Sequence, residues 1–220
     1  IVTGSDLITS LGNNFIAESD TFINGSNGDI AGSSGSAINA MLGPLANNGG
    51  STLTHAPLAG SPVIDAGSNN VTSTLDQRGA GRRLDGDGDG TATVDIGAVE
   101  FGTLVNSTAD IASPQAGVIT LRSALLQANA TEGHDVIYLP AGTYTLTLPG
   151  SSESLGATGD LDVRKDLTIT GAGSDVTIID AAQLDRVFEV FPDVNLTLEN
   201  VTLTGGSISG TGGGVHSAGS

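Results

Sequence analysis

The sequence predicts an all-β chain folded as a right-handed parallel β-helix, with one short capping helix near 120–130. Three observations predict it. Apolar runs of three to five residues, alternating with polar ones, recur through the second half and are punctuated by Gly, Asp or Asn. Such runs have the length and period-two pattern of strands. Only 3% of the 220 residues are aromatic and 33 are glycine, so small and β-branched side chains must fill the interior. Those side chains suit closely stacked sheets better than helix packing. Finally, Thr168-Ile-Thr-Gly171 returns as Thr202-Leu-Thr-Gly205, 34 residues later. That spacing lies in the range of stacked solenoid coils. A β-sandwich is the rival architecture, but it asks for longer strands and a more aromatic core.

From the N-terminus, residues 1–40 hold short apolar pieces (Ile1-Val2, Leu7-Ile8, Phe15-Ile16, Phe22-Ile23) between Gly, Asn, Ser and Asp clusters. They read as short strands with tight turns. Residues 42–101 are rich in turn formers without a sustained apolar period, as expected of a clasp-like closing region. Residues 102–116, rich in Thr, Asn, Ser and Ala, read as a linker. The one convincing helix follows. Thr120 can cap it, Leu121, Ala124, Leu125 and Ala128 fall at i, i+3, i+4 and i+7, and Gly133 follows its end. One helix among many strands is expected to lie as a lid over a sheet edge rather than in the core. Strands are then expected at 135–139, 142–146, 167–170, 176–179, 187–190, 196–198 and 201–203.

The order is that of an ending followed by a beginning. Residues 1–101 read as the last coils and closing segment of one module, and 117–220 as the cap and first coils of the next. Two hundred and twenty residues allow one or two domains.

Charge excludes several partners. Seven Lys plus Arg against 24 Asp plus Glu leave a net charge of −17. Nucleic acid and anionic membranes need clustered cations, which this surface lacks. Divalent cations are the natural counterweight, or a salty medium in which acidic surfaces stay soluble. No segment is long and apolar enough for a membrane span. Zero Cys removes disulfides, thiol nucleophiles and most zinc sites.

The segment Gly117-Val-Ile-Thr-Leu-Arg-Ser-Ala124, followed by Gln127-Ala-Asn129, resembles the start motif of bacterial CSLREA-domain proteins. Ile119 stands where that motif has Cys and Ser123 where it has Glu. Gly159-Asp-Leu-Asp162, Leu167-Thr-Ile-Thr-Gly-Ala-Gly173 and Thr177-Ile-Ile-Asp180 continue in the same style. Residues 42–101 resemble the end segment of choice-of-anchor Q proteins through Gly43-Pro-Leu45, Asn48-Gly-Gly50, His55, Ser61-Pro62, Ile64-Asp-Ala-Gly67, Asp76-Gln-Arg-Gly79 and Asp95-Ile-Gly-Ala98. Both resemblances imply a pectin-lyase-like β-helix in a secreted or surface protein. They imply no activity.

Among motifs with chemistry, Asp85-x-Asp87-x-Asp89-Gly90, with Asp95 ten residues after the first Asp, is the strongest. Carboxylates at positions 1, 3 and 5 can wrap a hard cation such as Ca2+, and Thr91 can add a carbonyl. Ile96 stands where an EF-hand has its bidentate Glu, so this is a different kind of loop. The alternative is a solvated acidic loop. Asp160-Leu-Asp162-Val-Arg164-Lys165 is the one place where acids and bases crowd together. Alternation sets Asp160, Asp162 and Arg164 on one strand face, where Asp could hold calcium and Arg164 or Lys165 act as base on an acidic polysaccharide. The alternative is a solvated face with local ion pairs. Arg78 is expected to pair structurally with an Asp neighbour, and His55, His134 and His216 lack metal-ligand spacing.

The expected function is that of an extracellular structural or adhesive protein whose β-helix serves as a rod. It would assemble head-to-tail, the strands ending at Ser220 stacking on those beginning at Ile1 of another copy, or form part of a long multi-module surface protein. The alternative is a polysaccharide-active or carbohydrate-binding protein, with surface glycans as partners.

Overall fold

In the computed structural model, residues 10–20, 24–113, 115–150, 153–207 and 212–217 are described. Their strands are short: β1 (Phe15–Ile16), β2 (Ile30–Ala31), β3 (Thr103–Leu104), β4 (Asp135–Leu139), β5 (Gly142–Thr145), β6 (Leu161–Val163), β7 (Leu167–Gly171), β8 (Thr177–Asp180), β9 (Phe188–Val190), β10 (Leu196–Glu199), β11 (Thr202–Thr204) and β12 (Val215–Ser217). One α-helix, α1 (Leu121–Ala128), precedes β4. Ile1 and Ser220, the ends expected to meet between copies, lie outside the described residues, as do Ile1-Val2, Leu7-Ile8 and Phe22-Ile23.

Strands of this length gain stability only by stacking. From β4 onward, successive strands enter three sheets in rotation, so each pairs in parallel with the third strand after it. The sheets run β3-β4-β7-β10, β5-β8-β11 and β6-β9-β12, and a separate small sheet pairs β1 with β2. Alternation sends one set of side chains inward in each ladder. In register, these form the columns Ile137–Ile169–Leu198, Tyr144–Ile179–Leu203 and Leu161–Phe188–Val215. Most of these residues belong to or pack against one apolar core.

The sequence repeat does not mark the strand pairing. Thr202 pairs with Ile178 of β8, whereas Thr168 pairs with Thr197 of β10. The separation between paired strands varies accordingly: Ile178 and its partner Thr202 are 24 residues apart, Thr143 and Ile178 are 35. The two Thr-x-Thr-Gly segments resemble each other because both end at a crowded corner. A Cβ on Gly171 would lie 2.3 Å from the Asn200 carbonyl oxygen, and one on Gly205 within contact of the Asp180 carboxylate.

The cap of α1 forms as expected, with Thr120 accepting from the Ser123 amide and the Ser123 hydroxyl accepting from the Thr120 amide. Ser123 thus does the work of the usual Glu. The helix is more than a lid. Leu121, Ala124, Leu125 and Ala128 are buried in the main core, facing residues of β4 and β6.

Residues 42–101 form bridges and turns, not strands. They lie against β4, whose Val136 and Tyr138 pack with Ala80, Phe101 and Leu104. Tyr138 donates its hydroxyl proton to the Phe101 carbonyl (2.6 Å). β3, within the segment read as a linker, pairs with β4 through Thr103 and Leu104. The linker therefore shares a sheet with the beginning read from the sequence, and the ending shares an apolar cluster with it.

Two buried arginines hold the irregular segments. Arg78 pairs with Asp76 (2.8 Å) and donates to the carbonyls of Glu100 (2.6 Å), Gly102 (2.6 Å) and Asn48 (3.3 Å), the structural role expected of it. Arg122 on α1 pairs with Asp110 and donates to the carbonyls of Gly156, Gly159 and Asp160. No helix is long and apolar enough to cross a membrane among the described residues.

Leu125, 0% exposed at the centre of the α1 contact, is the most direct probe of the capped core. Leu125→Ala is expected to lower the unfolding free energy by about 2–5 kcal/mol, read from urea denaturation followed by circular dichroism.

Candidate metal centres

The clasp loop begins where Gly88 and Gly90 adopt positive φ, which lets the chain curl around Asp85. Asp85 Oδ1 accepts from the amides of Gly88 (2.8 Å) and Asp89 (3.1 Å), and Oδ2 from Gly90 (2.8 Å). Asp65 arrives from an earlier turn, and its Oδ2 accepts from Gly86 (2.8 Å) and Asp87 (2.9 Å). Asp65, Asp85 and Asp87 each bring a carboxylate oxygen within 4.8 Å of the others, close enough to hold one cation. Burial pushes the Asp65 carboxyl above its usual range, with repulsion from Asp87 adding to it.

The other residues expected there have different surroundings. Asp89 accepts from the Thr91 amide (2.7 Å), a local turn outside the converging trio. Asp95 is buried beneath the loop, where Oδ1 accepts from the Asp65 amide (2.8 Å) and Oδ2 from the Phe101 amide. It anchors the clasp from inside. Glu100 lies beside it, its Oε2 accepting from the Asp95 amide (3.0 Å) and its Oε1 3.1 Å from Arg82. Burial pushes Asp95 up to about 6 and Glu100 up to about 7, each raised further by the other carboxylates nearby.

A second cluster stands on the third sheet. Parallel pairing sets Asp162 of β6, Glu189 of β9 and His216 of β12 side by side. Leu161, Val163, Phe188 and Val190 point the other way, into the core. Asp160, two residues before Asp162, lies on the same side, and Asp160, Asp162 and Glu189 bring carboxylate oxygens within 4.8 Å of one another. Arg186 is their cation, with Nε 3.1 Å from Asp160 and Nη1 3.4 Å from Glu189. Burial pushes Asp160 up to about 6 and Asp162 up to about 7, with the neighbouring acids Asp185 and Asp160 adding to the respective shifts.

Arg164 and Lys165 stand apart from these acids. Arg164 donates to the Ser154 carbonyl (2.7 Å) and lies 4.9 Å from the Phe191 ring, while Lys165 pairs with Glu132 (3.1 Å). β6 ends at Val163, so the alternation that would align Arg164 with Asp162 stops there. Sequence reasoning missed Asp65, Glu189, Arg186 and the place of His216. Only strand register joins Glu189 and His216 to Asp162, and register is not written in the spacing.

Between the clasp loop and the outer face of β7 and β10 runs a groove of 480 Å³, lined by Asp85, His134, Thr168, Thr170, Thr197 and Glu199 among others. His134 Nε2 is 3.2 Å from the Thr168 hydroxyl, and His55 Nδ1 is 2.8 Å from the Gly43 carbonyl, so neither joins an acidic cluster. Comparison with protein-family models, curated proteins and solved structures finds no match.

The four raised carboxyls set a pH dependence. Asp95, Glu100, Asp160 and Asp162 bind protons more tightly folded than unfolded. Their stabilising protonation is complete below about pH 4 and is lost as pH rises through about 6 to 7. In the presence of a chelator, the melting temperature is expected to fall from about pH 5 to about pH 7.5. Calorimetry across that range checks it; a rising curve contradicts the assigned shifts.

Proposed function

We propose that this chain is part of an extracellular structural or adhesive protein, a right-handed parallel β-helix that serves as a rod. The observation that carries the reading is the rotation of β4 to β12 through three parallel sheets. An architecture of this kind grows by adding coils, each contacting only its neighbours, and presents long lateral faces. Low aromatic content, high acidity and resemblance to choice-of-anchor Q and CSLREA-domain proteins add support for a secreted or surface-bound bacterial protein.

Self-association belongs to the proposal. β10, β11 and β12 each have a pairing partner on one side only among the described residues. An edge of this kind can template a further strand, and a second copy stacked there would make a heterologous, open assembly. Sedimentation velocity over a hundredfold concentration range is expected to show progressive growth. A single monomeric species at every concentration overturns self-association.

Calcium at the clasp completes the reading. Asp65, Asp85 and Asp87 supply carboxylate oxygens suited to a hard cation. Bound at a hundred times its dissociation constant, an ion would add about 2.7 kcal/mol. Calcium chloride is expected to raise the melting temperature, and Asp85→Asn to remove most of the component due to the clasp. An unchanged response in Asp85→Asn contradicts the clasp assignment.

A second reading, a carbohydrate-binding or polysaccharide-active protein, is favoured by the polar groove beside the loop. No Phe, Tyr or Trp lines it to stack on a sugar ring, and Arg164 and Lys165 are engaged elsewhere, so it ranks second. Uronide release from acidic glycans, abolished by Asp85→Asn or Glu199→Gln in the groove, would reverse that order.

A further inference from the structure

We propose that Asp160, Asp162 and Glu189 form a divalent-cation site, distinct from the clasp loop, that fastens the 153–160 segment to the third sheet. Direct register pairing of Asp162 with Glu189 sets them on adjacent strands, with backbones about 4.8 Å apart, and both face away from the apolar core. Asp160 joins them from the residue preceding β6. One oxygen from each of the three lies within 4.8 Å of the others. Oxygen ligands on one calcium ion, each at about 2.3–2.6 Å, stand at such separations from one another.

The decisive observation is an orphaned oxygen. Asp162 is 0% exposed; its Oδ2 accepts from the Gly156 amide (2.6 Å), but its Oδ1 is buried without a hydrogen-bond partner. Buried carboxylate oxygens without a partner are costly, and their presence calls for a ligand. The nearby cation does not meet this demand. Arg186 divides its ion pairs among Asp160, Asp185 and Glu189, and none of them is with Asp162. Four acids therefore face one arginine, with His216 Nδ1 3.6 Å from Glu189. A divalent ion balances that excess.

The clasp loop differs in this respect. The carboxylates of Asp65, Asp85 and Asp87 all accept backbone amides, so that loop is satisfied by its own chain. The motif most visible in the sequence is thus the less demanding of the two clusters.

Ligand chemistry selects the ion. Three carboxylates and no sulfur make a hard, all-oxygen donor set, the kind that calcium takes directly, whereas magnesium keeps several of its waters. The ion would act as a staple. Arg122 already holds the carbonyls of Gly156, Gly159 and Asp160, and the ion would fix the same segment through Asp160 and through Asp162, which accepts from the Gly156 amide. None of this depends on the chain serving as a rod.

The test is calorimetric titration of the metal-free full chain with calcium chloride. In a background carrying Asp85→Asn and Asp87→Asn, one calcium-binding event is expected to remain. Asp162→Asn or Glu189→Gln in that background is expected to weaken it at least tenfold. Hydrogen exchange at the Gly156 amide is expected to slow at least tenfold with calcium, and to lose that response in Glu189→Gln. Should Asp162→Asn fail to fold, Glu189→Gln, on a partly exposed side chain, decides the matter alone. No calcium binding in the folded clasp variant overturns the proposal. So does undiminished binding in Glu189→Gln.

Discussion

Parallel pairing between strands too short to stand alone is the constraint on which the rest of this structure depends. β6, β9, β11 and β12 have three residues each and the longest strands five. A three-residue strand makes too few ladder bonds to offset the entropy of ordering it. Its stability must come from the column it joins. Ile137 over Ile169 over Leu198 is one such column, and a change at any level is felt by the strand above and the strand below. With no cysteine, the chain has no covalent brace for this stack.

Two arginines take the part that secondary structure cannot. In residues 42–102, carbonyls that would be satisfied in a sheet are turned toward Arg78 instead. Arg122 does the same for the segment before β6. A guanidinium suits the task because its five donors form a fixed planar fork that stays charged at all accessible pH. Each is neutralised by a buried aspartate, Asp76 or Asp110. The Asp110 carboxyl is held below its usual range: burial opposes this, but the Arg122 pairing and the amides of Leu148 and Thr147 outweigh it. Removing either arginine would leave an uncompensated acid as well as orphaned carbonyls, and the lost contacts alone would understate the cost.

Much of the fold was legible in the sequence because alternation is a local signal. β4, β7 and β10 lie where Asp135–Leu139, Leu167–Thr170 and Leu196–Leu198 place them, and Thr120 caps the helix as its position requires. Register was not legible. Thr168 and Thr202 share a turn, not a rung, since both lead to glycine corners that a side chain would obstruct. The candidate sites divide in the same way. Asp85 and Asp87 are close in sequence and close in space, whereas Asp162 meets Glu189 only through pairing of strands 27 residues apart, a separation that differs from one strand pair to the next. Asp95 shows the opposite hazard: its spacing resembles that of a loop ligand, yet the chain turns it inward under Asp65.

Register is therefore what a single measurement should challenge. Because the chain lacks cysteine, a pair can be introduced without competing thiols. Thr170 and Glu199 are direct partners in β7 and β10, with the Thr170 hydroxyl 3.3 Å from the Glu199 carboxylate. Adjacent strands bring Cα atoms to about 4.8 Å, within reach of a disulfide. The chain carrying Thr170→Cys with Glu199→Cys is expected to oxidise to an intramolecular disulfide and keep its melting temperature. Thr170→Cys with Thr204→Cys, the pairing implied by the sequence repeat, is expected to stay reduced. If the second pair closes readily and the first does not, the ladders are misassigned and the cluster at Asp162 and Glu189 has no basis.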